Sequence, residues 1–222
     1  MISKSLNQEQ KKFNLKLSGG DTTNSNKVSF SITTIGFSTN IIERNNARLN
    51  DDIYVTGNIG DSFIGLKIIK NNLKINSKLK NYFINQFYSP ILPYKIHKII
   101  HKFANTSMDI SDGLFSDMCK LINRQNLSFE INLNKIPISK NLNFFLKKYN
   151  KKRNKFLFNG DDYQIIFTAS VKKRSLIKSI GKKMNQRITL IGKINNGYKK
   201  NLIKLDNKSQ KLTNFKGYSH KF

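Results

Sequence analysis

The rhythm of apolar and polar positions changes several times along the 222 residues. "KVSFSITTIGF" (27–37) alternates β-branched and aromatic residues with polar ones, the period of a half-buried strand. Between residues 3 and 16, Leu6, Phe13 and Leu15 punctuate a polar background, predicting a weak helix that shortens into a strand near 14–18. "IYVTG" (53–57) predicts a short strand closed by Gly57. Phe63, Leu66, Ile69 and Leu73 then fall at helical spacing, with Asp61 where an N-cap belongs. Residues 79–104 are mostly helical, with a break at "SPILP" (89–93). Leu114, Met118, Leu121 and Ile122 recur at i, i+4, i+7 and i+8, one face of a helix.

"SFEINLNKIPI" (128–138) predicts a strand, and "FLFNGDDYQIIFTAS" (156–170) predicts strand, turn, strand. "VKKRSLIKSIGKKM" predicts a helix and "ITLIGKI" (188–194) a strand. The order has neither strict βαβ alternation nor an all-β rhythm, so the fold class is α+β. No internal repeat, long linker or low-complexity segment interrupts it.

A chain this long buries roughly 70% of its unfolded surface, enough for a real core. No apolar run approaches the ~18–20 residues of a membrane span, and the N-terminus lacks the apolar segment of a secretory signal. Cys119 is the single cysteine, so neither an internal disulfide nor a structural zinc site is available. The expectation is a soluble cytoplasmic protein with no membrane partner. His97, His101 and His220 show no metal-ligand spacing.

The net charge of +27, from 40 Lys+Arg against 13 Asp+Glu, invites a nucleic-acid reading. The lysines are scattered through a chain rich in Lys, Asn and Ile, without an aromatic RNA-binding motif. That pattern reads as compositional drift, and no specific nucleic acid is expected; a polyanion-binding surface is the alternative.

Rare acids then become informative. Five of the 13 sit in three glycine turns: Asp21 in "GGDTT", Asp109 and Asp112 in "DISDG", Asp161 and Asp162 in "NGDDY". Carboxylates on such turns suit Mg²⁺, which takes hard oxygen ligands and bridges to phosphates. Each turn alone is an ordinary aspartate–glycine turn signal. "DISDG" also opens a helix, with Ser111 or Asp112 competent as its N-cap and unpaired N–H groups facing any anion.

Taken in order, "LSGGDTT", "ARLNDDIYVTGNIGDSFIGL", "MDISDGLFSDM", "NGDDYQIIFT", "ITLIGKI" and "GYSHKF" resemble the thiamine-monophosphate kinase family, from about residue 5 to the end. That family belongs to the superfamily of aminoimidazole ribonucleotide synthetase. The resemblance implies a PurM-like C-terminal domain over 47–222, after a remnant of an N-terminal ATP- and Mg²⁺-binding domain over 1–46. It implies ATP contacts at Gly20, Asp21, Arg44 and Ser111, and Mg²⁺ ligands at Asp21, Asp109 and Asp112. Asp161 takes the place of a family glutamate that contacts thiamine phosphate, with a shorter reach. Tyr218 stands where a C-terminal aromatic stacks on the substrate.

The implied reaction is ATP-dependent phosphorylation of thiamine monophosphate to thiamine diphosphate, by an enzyme that is a homodimer in its full-length form. Family members carry a long acidic segment before "GGDTT" that supplies much of the Mg²⁺ cage. Its absence here predicts an incomplete chain with weak nucleotide binding and impaired catalysis. A sister enzyme of the superfamily acting on another small molecule is the further alternative.

Overall fold

The computed structural model describes residues 2–71, 73, 75–198 and 200–205, together with the backbone of 208–211. Two compact units are present, Met1–Ser38 and Thr39–Phe222. The first unit holds helix α1 (Ile2–Phe13), with Lys11 and Lys12 in its last turn, where cations suit the helix dipole. Residues 14–38 contain neither the strand expected near 14–18 nor the one expected over 27–37. Alternation prescribes a face but no partner, and a strand exists only where a neighbour accepts its ladder. Val28, Phe30, Ile32 and Phe37 accordingly remain exposed.

The second unit is built on a sheet of seven strands among the described residues: β1 (Asp52–Thr56), β2 (Thr106–Asp109), β3 (Leu127–Asn132), β4 (Ile165–Ala169), β5 (Ile188–Asn196), β6 (Leu202–Leu205) and β7 (Lys208–Lys211). Their order is β2-β4-β1-β5-β3-β6-β7. Every pairing is antiparallel except that of β3 with β6.

β1 lies between β4 and β5 and is buried at all five positions. Period two then divides its side chains between two cores. Ile53 and Val55 enter one core with Leu114, Met118 and Leu121 of α4 (Leu114–Leu121). Tyr54 enters the other, with Phe167 and with Ile177 of α7 (Arg174–Lys183). A stack of Tyr54 on Phe167, centroids 5.1 Å apart, ties β1 to β4 on that side.

A third apolar cluster joins α2 (Asp61–Ile69), α3 (Ser77–Tyr88), α5 (Lys140–Lys148) and α6 (Asn154–Leu157) through Ile64, Phe83, Phe145 and Phe156. Two of these helices correct the sequence reading. α5 was not foreseen, although Ser139 caps it by accepting the Leu142 amide at 2.9 Å. α6 occupies the first part of the expected strand–turn–strand, because Phe156 and Leu157 bury as consecutive residues of a helical turn. β3 ends at Asn132, whose side chain accepts the Asn134 amide and starts a 3₁₀ turn.

Candidate functional site

The "DISDG" and "NGDDY" motifs meet at one end of the sheet. β2 and β4 pair in register through Asp109 and Ile165, and hydrogen bonds continue beyond the strands. The Ile110 amide donates to the Gln164 carbonyl at 2.7 Å, Tyr163 to the Ile110 carbonyl at 2.9 Å, and Asp161 to the Ser111 carbonyl at 2.9 Å. Contact is so close that a Cβ on Gly160 would lie 1.8 Å from the Ser111 carbonyl oxygen. Gly113 holds φ +119°, and a Cβ there would meet the Phe158 carbonyl oxygen at 2.4 Å. Asp161 (φ 68°) and Tyr163 (φ 49°) take left-handed conformations that non-glycine residues rarely adopt. Such strain persists only where surroundings impose it, and it concentrates at functional sites.

This arrangement gathers charge. Asp109 is exposed; Asp112 and Asp161 are half-buried. Burial raises the Asp161 carboxyl, the Asp112 charge raises it further, and Lys70 opposes both. Tyr163 is raised first by burial and then by Asp161, Asp109 and Asp112 together. The phenol therefore feels three carboxylates at once.

Asp117 organises the turn, and sequence reasoning missed it. Its buried carboxylate accepts the amides of Ser111, Asp112 and Gly113 at 3.0, 2.9 and 3.1 Å. This corrects one expectation: Gly113, rather than Ser111 or Asp112, is the N-cap of α4. The three amides just before the helix already have an internal anion. Lys120 bridges Asp112 and Asp117, the latter at 3.0 Å. The signal lay in the sequence: an acid within the apolar first turn of a helix, in a chain with few acids.

The adjacent aspartates of "NGDDY" point different ways. Asp162 is buried and accepts the Gly60 amide at 2.8 Å and the Ser62 amide, so it caps α2 from a distant part of the chain. Desolvation holds its carboxyl well above the usual range, with Asp61 and Asp161 adding to the rise. Asp61 is not the cap: Gly60 holds that position at φ 98°. Asp61 instead accepts from Tyr82 Oη and Ser139 Oγ, both at 2.8 Å, and burial lifts it to about 6.

The remaining expected positions lie on other segments of the chain. Arg44 is exposed and lines a polar cavity of about 420 Å³ with Asn45, Ser107, Asn123 and Arg124. Gly20 and Asp21 belong to the first unit, where both are exposed and Asp21 accepts the Thr22 amide at 2.7 Å. Tyr218 lies outside the described residues.

Among the described residues, no three His, Cys, Asp or Glu side chains converge to hold a metal by themselves. Asp109, Asp112 and Asp161 nonetheless fit Mg²⁺, which keeps several waters and uses one or two carboxylates beside phosphate oxygens. A cation there would compensate the burial and the neighbouring Asp112 charge that raise the Asp161 carboxyl.

No family model matches the chain. Curated relatives do. Thiamine-monophosphate kinase of Buchnera aphidicola subsp. Acyrthosiphon pisum is 38% identical over 217 residues, covering 94% of this chain and 65% of its own length. That of the Schizaphis graminum subspecies is 35% identical over 224 residues, covering 99% of this chain and 68% of its own. The chain belongs to the thiamine-monophosphate kinase family.

Among solved structures, AaThiL complexed with AMPPCP and TMP is 32% identical, with a TM-score of 0.62 over 75% of this chain and 51% of that one. The fold of this thiamine-monophosphate kinase family member is PurM-like. The chain spans about two thirds of the two Buchnera relatives and about half of AaThiL. The α+β expectation and the family resemblance are both met. No described helix is long and apolar enough to cross a membrane.

Proposed function

We propose that this chain acts in the ATP- and Mg²⁺-dependent phosphorylation of thiamine monophosphate to thiamine diphosphate. The observation that carries this reading is the joining of the two acidic motifs, which sets Asp109, Ser111, Asp112 and Asp161 at one end of the sheet. AaThiL, to which the chain is similar, was solved with AMPPCP and TMP, an ATP analogue and a thiamine phosphate.

In the reaction, a phosphate oxygen of thiamine monophosphate attacks the γ-phosphorus of ATP. An O–P bond forms, the bond to the β-phosphate bridging oxygen breaks, and ADP leaves. No general base is needed, because the acceptor phosphate is already ionised. The protein's contribution is to align two mutually repelling anions and compensate their charge. Mg²⁺, when bound, supplies that compensation between the phosphates.

We assign Asp109 and Asp112 to the cation, with Asp21 as a further ligand. Ser111, Gly20, Asp21 and Arg44 serve the nucleotide; Asp161 and Tyr218 serve thiamine monophosphate. Exposure of Asp109 and the two arginines of the Arg44 cavity support these roles. The same reading includes a cytoplasmic location and a homodimer in the full-length form.

Titration calorimetry with AMPPCP, with and without Mg²⁺, tests the reading. Binding should require Mg²⁺ and should vanish in Asp109→Asn while circular dichroism stays unchanged. Unchanged affinity in that variant would remove Asp109 from the site, and binding indifferent to Mg²⁺ would overturn the mechanism.

A further inference from the structure

A second concave feature lies away from the acidic loops, between α7 and the sheet. It has a volume of about 540 Å³, within the range of small-ligand sites. Its floor is apolar. Ile188 and Leu190 stand on one face of β5, Tyr54 pairs with Leu190 in register, and Ile177 of α7 is buried beside them.

Gly181, one turn after Ile177, marks the edge of the groove. A Cβ there would lie 3.0 Å from the Gln186 carbonyl oxygen and 3.7 Å from Ile188, so α7 and the 186–188 backbone approach closely at this point.

The rim is cationic. Arg174, Lys178 and Lys182 follow one another at i, i+4 and i+8 on α7, which aligns them along the groove. Arg174 is neutralised by a two-pronged pairing to the buried Asp52, at 2.6 and 2.8 Å. Lys178 and Lys182 are exposed and, among the described residues, have no acidic partner. A bare inorganic anion would leave the apolar floor unused, and a neutral apolar molecule would leave both ammonium groups unused.

We infer that this groove binds a small organic anion, its aryl or short acyl body on Ile188 and Leu190 and its phosphate or carboxylate between Lys178 and Lys182. Burial of the apolar body supplies affinity, and the two ammonium groups select for charge. This site is separate from the kinase reading and does not depend on it.

Nuclear magnetic resonance on the ¹⁵N-labelled chain tests the inference, with phenyl phosphate and octanoate titrated separately. Inorganic phosphate and benzyl alcohol supply the charge-only and body-only controls. At least one amphipathic probe should saturate, with amide shifts confined to Tyr54 and residues 174–190; which one saturates identifies the body as aryl or acyl. Lys178→Ser combined with Lys182→Ser should weaken binding at least about tenfold, and the corresponding arginine pair should restore it. Shifts at the acidic loops instead, equal binding of benzyl alcohol, or unchanged affinity in the double serine variant would overturn the proposal.

Discussion

The Asp117 carboxylate accepts the Asp112 amide at 2.9 Å and holds the amides on either side of it as well. A buried side chain thus fixes the turn that carries the half-buried Asp112 and directly follows the exposed Asp109. Truncation to alanine strands three amides in a partly buried turn, each an unsatisfied donor. Asp117→Ala should therefore cost about 3 kcal/mol in urea unfolding. Asp117→Asn keeps one acceptor oxygen and should cost about half as much.

The contact between Gly160 and Ser111 is backbone against backbone, so no side-chain rotation can make room for a methyl group. Gly160→Ala must part the two acidic loops. A cost of about 2–3 kcal/mol is expected from the overpacking, with loss of AMPPCP binding in calorimetry. If stability and binding both survived, the loops would be joined less tightly than the three hydrogen bonds indicate.

Asp61 gives stability a pH dependence of unusual sign. Burial raises its carboxyl to about 6 from the usual 3.8, so the folded chain binds the proton more tightly than the unfolded chain. The stabilisation is fully present below about 4 and is lost as pH rises through about 6. A shift of this size corresponds to about 3 kcal/mol at most. Urea midpoints should fall between pH 4 and 6.5, and Asp61→Asn should flatten that segment of the profile.

Lys120 already compensates Asp112. Removing its ammonium leaves the carboxylates of the acidic loops more negative, which favours an added cation. Lys120→Met should tighten Mn²⁺ binding about fivefold, judged from the energy of a partly exposed ion pair. Paramagnetic line broadening at the amides of Asp109 and Asp161 would measure it, and weaker binding would count against those carboxylates as the cation site.

What could be read in advance followed from local periodicity. α2, α7, β1 and β5 announce themselves because helix and strand bury residues at different intervals, as Ile177 and Ile188 do. In α2 the helix was legible but its buried face was not, since Ile64 and Ile68 enter the core while Phe63 and Leu66 are only half-buried. Residues 27–37 obey one too, yet form no strand, because pairing depends on a partner that alternation cannot name. Asp162 shows the same limit at the site. Its cap on α2 reaches across 102 positions, and nothing in "NGDDY" distinguishes the inward aspartate from its outward neighbour. The acidic turns were legible as a set because the chain has so few acids; the way they are stitched together was not.

The uncovered apolar side chains of Val28, Phe30, Ile32 and Phe37 bear on how the isolated polypeptide behaves in solution. Bare alternating segments of this kind are adhesive towards copies of themselves. A charge of +27 holds such copies apart at low ionic strength, and added salt collapses that repulsion within a few ångströms. Colloidal stability here is therefore on loan from electrostatics, and concentrated salt should call it in as turbidity before any part of the sheet unfolds.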